Sequence, residues 1–241
     1  MGHPSLNDTS HQAGDDDTTA MKGAKTLLPA LTQDQAEDAM ERFQSFLKFE
    51  TVSALAITTG AYKECAQFLI DELKSLSVLT DIHLLPEAPD HSPVVVACWQ
   101  GRDERLPVLL WNSHYDVVPA APEDWTVPPF EGLRKTETHG QTQQKRIYGR
   151  GTQDMKCVCM QYLEAIRYVV RTQPGWMPAR TMYYTFVPDE ECGGAGMAAF
   201  LESSLYNDTI VKQHGGIALA LDEGLASTTD VFSVFYGERL P

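Results

Sequence analysis

The chain has 241 residues, 43% of them hydrophobic, with a net charge of −14 and five cysteines. That size and apolar content suit one large domain or two small ones with a real core. The acidity, with no basic stretch to neutralise phosphates, argues against nucleic-acid binding, and no apolar run nears the ~20 residues that span a bilayer. An odd cysteine count without regular spacing fits no disulfide framework, and the polar, acidic start lacks the apolar segment of a secretory signal. The expectation is a cytoplasmic protein with reduced thiols.

Residues 1–26 are poor in hydrophobics and include Asp15-Asp16-Asp17, which predicts a disordered acidic tail ahead of a folded part over 27–241. Thr32 offers a cap for a helix over 33–49, with Ala36, Met40, Phe43, Phe46 and Leu47 at helical spacing. A loop with Gly60 leads to a second helix over 61–76, burying Phe68, Leu69, Leu73 and Leu76. Short strands are expected over 81–85, 93–99 and 107–111; the continuous apolar runs in the last two predict strands covered on both faces. The third delivers Asn112-Ser113-His114-Tyr115-Asp116. A long proline-rich loop over 119–144 follows, with a solvated tip over 141–145. Gly149 and Gly151 then mark a tight loop that reaches Asp154 and a helix over 155–171. A strand over 180–187 delivers Pro188-Asp189-Glu190-Glu191, a short helix spans 197–205, and a strand over 215–221 delivers Asp222-Glu223. A last strand is expected over 231–236. Strands alternating with helices make an α/β fold with a largely parallel sheet flanked by helices.

Polar residues thus stand at the carboxyl ends of three buried strands, where open α/β sheets place their ligand crevice. Carboxylates crowded there repel and need a proton or a cation. Only Arg150 and Lys156 are nearby in sequence. Imidazole and carboxylates suit zinc, and paired metals activate water for hydrolysis. His114 and Asp116 share one side of an extended segment, so Asp116 either steadies the His114 ring as a metal site requires or the two are a surface histidine and a turn aspartate. Asp154 is either a ligand or a helix cap. Glu190 and Glu191 point apart, as a metal ligand and a proton carrier, or they are a capping pair. Asp222 and Glu223 offer a further ligand or an ordinary turn.

The segments Ser-His-Tyr-Asp-Val-Val-Pro (113–119), Tyr-Gly-Arg-Gly-Thr-Gln-Asp-Met-Lys (148–156), Pro-Asp-Glu-Glu (188–191) and Leu-Asp-Glu-Gly (221–224) carry a resemblance. Over about 33–239 the chain resembles the di-zinc metallohydrolases that include aminoacylase-1, acetylornithine deacetylases, succinyl-diaminopimelate desuccinylases and carnosinases, and is most similar to the aminoacylases. The resemblance implies that His114, Asp154 and Glu223 hold one zinc, that Asp154 bridges to a second zinc with Glu191 as another ligand, that Glu190 shuttles the proton and that Asp116 orients His114. It implies hydrolysis of an N-acyl-L-amino acid to a carboxylate and a free L-amino acid, with a dipeptide or an acylated diamino acid as alternative substrates of the same fold. It also implies two zinc ions per complete site, and a homodimer built by a second domain inserted after the strand near Arg239, with a final histidine ligand beyond it. Neither lies within these residues, so the expectation is an incomplete catalytic domain, either a working hydrolase or a non-catalytic piece that binds zinc or a partner.

Overall fold

The computed structural model describes residues 29–224 except Ala54 and Gln141. The acidic tail and the strand expected over 231–236 lie outside the described residues. Among the described residues, the body that begins at Gln33 has seven strands: β1 Thr80–Leu84, β2 Val95–Trp99, β3 Val108–His114, β4 Leu133–His139, β5 Thr142–Tyr148, β6 Met182–Val187 and β7 Ile217–Leu221. Five of them form one sheet in the order β1-β2-β6-β3-β7. β3 is parallel to both β6 and β7, while β2 is antiparallel to β6 and to β1. Four of the five strands therefore run one way and β2 alone is reversed, which agrees with a largely parallel sheet.

Register decides what meets at the sheet's rim. His114 is level with Val187 and Trp111 with Leu221. The residues that follow β3, β6 and β7 therefore leave the sheet side by side.

Burial on both faces follows from side-chain alternation. In β2, Val95, Ala97 and Trp99 join one core, while Val96 and Cys98 join another. The first core lies under helices α1 (Gln33–Leu47), α3 (Ala61–Lys74) and α4 (Lys156–Thr172), which contribute Phe46 and Leu47, Leu69 and Leu73, and Leu163 and Ile166. The second takes Phe200 from α5 (Ala195–Glu202) and Ile210 from a π-helical segment, Leu205–Gln213. Each such fully buried side chain is worth ~1.5–3 kcal/mol. β7 is different. Leu219 is 53% exposed, and among the described residues no strand pairs with the outer edge of β7.

Several expectations are corrected. The stretch read as one long loop over 119–144 turns into a two-stranded ribbon, β4 against β5, paired from Leu133↔Tyr148 to His139↔Thr142. The ribbon is exposed and charged, so it lacks the apolar alternation that marks half-buried strands. Arg134 ties it to Glu37 on α1, and Gln44 Nε2 donates to the Gly132 carbonyl at 2.8 Å. The loop before Gly60 contains a four-residue helix, α2 (Ala56–Thr59), and α3 stops at Lys74. The short helix expected over 197–205 lies three residues earlier at its end, and the π-helical segment after it was not foreseen. A wide turn does not repeat every 3.6 residues, so periodicity does not reveal it. No described helix is long and apolar enough to cross a membrane.

Candidate metal centre

β3 ends at His114, which is 1% exposed. Its Nδ1 donates to the main-chain carbonyl of Asp116 at 3.0 Å and lies 3.3 Å from Asp116 Oδ1. A carbonyl accepts only, so Nδ1 keeps its proton and Nε2 is the nitrogen that faces out. Around Nε2 stand Asp154 Oδ1 at 3.0 Å, Glu223 Oε2 at 3.6 Å and Glu190 Oε2 at 3.8 Å. His114, Asp154 and Glu223 each place a ligand-type atom within 4.8 Å of the others. Glu191 is outside that group of three; charge interactions with Asp154 and His114 link it to the site.

Asp116 is fully buried and saturated. Oδ2 accepts from Ser53 Oγ at 2.8 Å and from the Glu191 amide at 3.2 Å, and Oδ1 accepts from the Glu190 amide at 3.1 Å. One carboxylate therefore steadies the His114 ring and the turn that carries both glutamates. Ser53 arrives on a short segment bridged in parallel at Val52↔Val117, where Thr51 Oγ1 also donates to the Tyr115 carbonyl at 2.6 Å. The sequence reading missed Ser53, because nothing near it in the chain signals a partner 63 positions away. Asp189, just before the glutamates, takes a left-handed backbone at φ +63°, and its Oδ1 accepts from the Tyr62 hydroxyl at 2.9 Å.

Asp154 does not cap α4. The cap position falls on Met155, which makes no side-chain cap bond. The Asp154–Met155 peptide is cis. Of the two loop glycines only Gly151 has a positive φ, +85°, and a Cβ there would stand 3.0 Å from Val117 Cγ1. Alanine at 151 would be strained on both counts. The two basic residues near this loop do not serve the carboxylates. Lys156 is fully buried, and its Nζ donates to the carbonyls of Phe49 at 2.7 Å and Phe46 at 3.3 Å, closing the end of α1. Arg150 donates to the Pro119 carbonyl at 3.0 Å and covers the Trp125 ring.

The neighbours Asp222 and Glu223 part ways. Asp222 Oδ2 accepts from Asn112 Nδ2 at 2.7 Å, and Asn112 Oδ1 accepts from Thr185 Oγ1 at 2.7 Å. Asp222 Oδ1 accepts from the Glu223 amide at 2.9 Å, and Glu223 is left to face His114.

The charged groups of the site shift one another. Burial alone would depress the His114 imidazole, but hydrogen bonds to Asp116 and Glu223 and their charges outweigh it and push it up to about 11. Burial, then the hydrogen bond and charge of Glu223, raise Asp154. Burial first, then the other carboxylates, raise Glu190 and Glu191. The hydrogen bond from His114 leads the effects that lower Glu223. For Asp116 burial works upward, yet the bonds from His114 and Ser53 hold it below the usual carboxylate range. The site thus uses a protonated imidazole as its own cation. One imidazole nitrogen oriented by its partner, facing carboxylate oxygens that no lysine or arginine among the described residues pairs with, is a donor set that fits a divalent metal.

Residues 110–227 match the model of peptidase family M20/M25/M40. The chain is 38% identical over 207 residues to aminoacylase-1 of Dictyostelium discoideum, covering 86% of this chain and 46% of that protein. It is 40% identical over 200 residues to aminoacylase-1 of Sus scrofa, covering 83% and 44%. The chain thus spans less than half the length of these curated relatives. Among solved structures, human carnosine dipeptidase 1 superposes with a TM-score of 0.61 at 18% identity, over 80% of this chain and 41% of that one, a likeness of fold. His114, Asp116, Asp154, Glu190, Glu191 and Glu223 all lie within the stretch that matches peptidase family M20/M25/M40.

Proposed function

We propose that this chain carries the catalytic groups of a zinc-dependent amidohydrolase that splits N-acyl-L-amino acids into a carboxylate and a free L-amino acid. The observation that supports it is the fixed Nε2 of His114 facing Asp154 and Glu223, with no lysine or arginine among the described residues committed to them. The choice of substrate rests on the likeness to the two aminoacylase-1 proteins. In this reading His114, Asp154 and Glu223 hold a first zinc, and Asp154 and Glu191 contribute to a second. Zinc supplies a Lewis acid for the amide carbonyl and makes water acidic enough to attack near neutral pH. Asp116 keeps the His114 ring turned so that Nε2 stays available, and it anchors the amides of Glu190 and Glu191.

Glu190 is the proton carrier. Its side chain is 47% exposed, so it can meet a substrate, and burial together with its acidic neighbours raises its affinity for a proton. It takes a proton from the attacking water and hands it to the leaving amide nitrogen, which lets the C–N bond break to give a neutral amine. The test is hydrolysis of N-acetyl-L-methionine by the chain with added zinc, with a chelator control and the Glu190→Gln variant. Chelator-sensitive turnover that disappears in Glu190→Gln while zinc stays bound is the expected result. Zinc uptake with no turnover of acylated amino acids or dipeptides would overturn the hydrolytic reading and leave a zinc-binding chain.

A further inference from the structure

Tyr62 lies in the first turn of α3, an element that supplies no ligand, and it is fully buried. Its hydroxyl donates to Asp189 Oδ1 at 2.9 Å across 127 positions of sequence. Neither group has a part in the reaction described above. Asp189 is 5% exposed, and its carboxylate meets the buried Tyr62.

The placement needs a reason. A left-handed backbone at φ +63° asks only for glycine, or for aspartate or asparagine, which tolerate it. Glycine would do so without burying a carboxylate, and a buried carboxylate is costly unless a donor meets it. Here the donor is Tyr62. Burial, Asp116 and Asp189 push the Tyr62 phenol well above its usual range, so the hydroxyl remains a donor at every working pH. The turn itself closes on Asp189, whose carbonyl accepts from the Gly194 amide at 2.6 Å, and its next two amides donate to Asp116. The ring of Tyr62 also stands edge-on to Tyr115 at 5.5 Å, and Tyr115 lies between His114 and Asp116. One side chain of α3 therefore touches both the strand end that presents the histidine and the turn that presents the glutamates.

We propose that Tyr62 is a positioning residue for the metal centre: its hydroxyl holds Asp189 in the left-handed conformation that directs Glu190 and Glu191 into the site. The proposal rests on the reading of Glu191 as a ligand and Glu190 as the proton carrier, and it assigns their geometry to a helix outside the family-matched stretch.

Two measurements test it on the whole chain. The first is zinc affinity, by titration against a chromophoric chelator. Tyr62→Phe removes only the hydroxyl, and Asp189→Gly keeps the backbone conformation but removes the acceptor. Both should weaken zinc binding by roughly 10–100-fold, the size seen when groups that orient ligands are removed. Asp189→Asn keeps an acceptor oxygen and a left-handed-tolerant residue, so it should bind zinc like the wild type. Ser203→Ala, which removes a buried hydroxyl bond to the Phe200 carbonyl at α5, should lower Tm and leave zinc affinity unchanged. The second is hydrogen exchange at the Glu190 and Glu191 amides in the metal-free chain. Exchange should quicken in Tyr62→Phe and Asp189→Gly and stay slow in Asp189→Asn. Wild-type zinc affinity and wild-type exchange in Tyr62→Phe would overturn the positioning role while leaving the metal site intact. A wild-type chain that binds no zinc yet shows the exchange pattern would remove the metal reading and leave Tyr62 as the anchor of the turn. If Tyr62→Phe does not fold, the contrast between Asp189→Asn and Asp189→Gly decides the matter.

Discussion

The site has an inner half and an outer half, and they are built on opposite terms. His114 and Asp116 are 1% and 0% exposed at the end of a strand covered on both faces, and nearly every polar atom they carry is spoken for. Asp154, Glu190 and Glu223 have side chains that are 61%, 47% and 38% exposed, stand beyond the strand ends, and gather around the His114 imidazole. The inner half is held by hydrogen bonds within the protein; the outer half is a set of exposed carboxylates. Orientation is therefore settled before any ligand arrives, and binding energy is needed only to relieve charge.

The sharpest way to break this contrast is chemical. Glu190→Gln should lower hydrolysis by about 10²–10⁴-fold, the usual span for a positioned acid–base group, while zinc content measured by atomic absorption stays at the wild-type value. Next come the two aspartates in the metal-free chain. Asp116→Ala strands the buried His114 ring and leaves the Glu190 and Glu191 amides without their acceptor, and should cost about 3–5 kcal/mol by urea unfolding. Asp154→Ala should change stability by about 0.5 kcal/mol or less and abolish zinc uptake. Equal destabilisation by the two would erase the division into halves. Ser53→Ala takes one of several bonds from a charged group and should cost about 1.5–3 kcal/mol, read from the same unfolding curves.

The smallest effect concerns protons. His114 carries a proton at pH 7 in the metal-free chain, because its folded value is raised to about 11. Zinc takes the Nε2 lone pair only after that proton leaves, so uptake at pH 7 should release protons and affinity should rise with pH. A weakly buffered titration with an indicator dye reads this directly. Metal uptake without acidification would mean that the carboxylates bind it and His114 does not.

Much of this was legible in the chain before folding. Apolar runs such as Val94-Val95-Val96-Ala97 mark strands with two covered faces, and ligand-type residues placed just past such runs mark the rim where they gather. The helical stripes of α1, α3 and α4 needed only counting. What stayed hidden depends on long-range pairing. Neither Ser53 nor Tyr62 carries a local sign of its partner, and only the fold brings Asn112 to Asp222 across 110 positions, which frees Glu223 for the centre. The ribbon of β4 and β5 escaped for the opposite reason: it has so little buried face that its sequence reads as loop. Gly151 was legible as a special backbone position, yet its neighbour Gly149 looks the same in the sequence and adopts no positive φ.

Glu223 follows the end of β7 by two residues, and among the described residues β7 is also the strand with no partner on its outer side, with Leu219 53% exposed. Bare strand edges are where one chain recruits another. A cation held between Glu223 and His114 would lash that margin to the middle of the sheet. By mass action it would add RT ln(1 + [L]/Kd) to the state in which the margin is in place. Binding there would then also steady the strand end that presents Glu223.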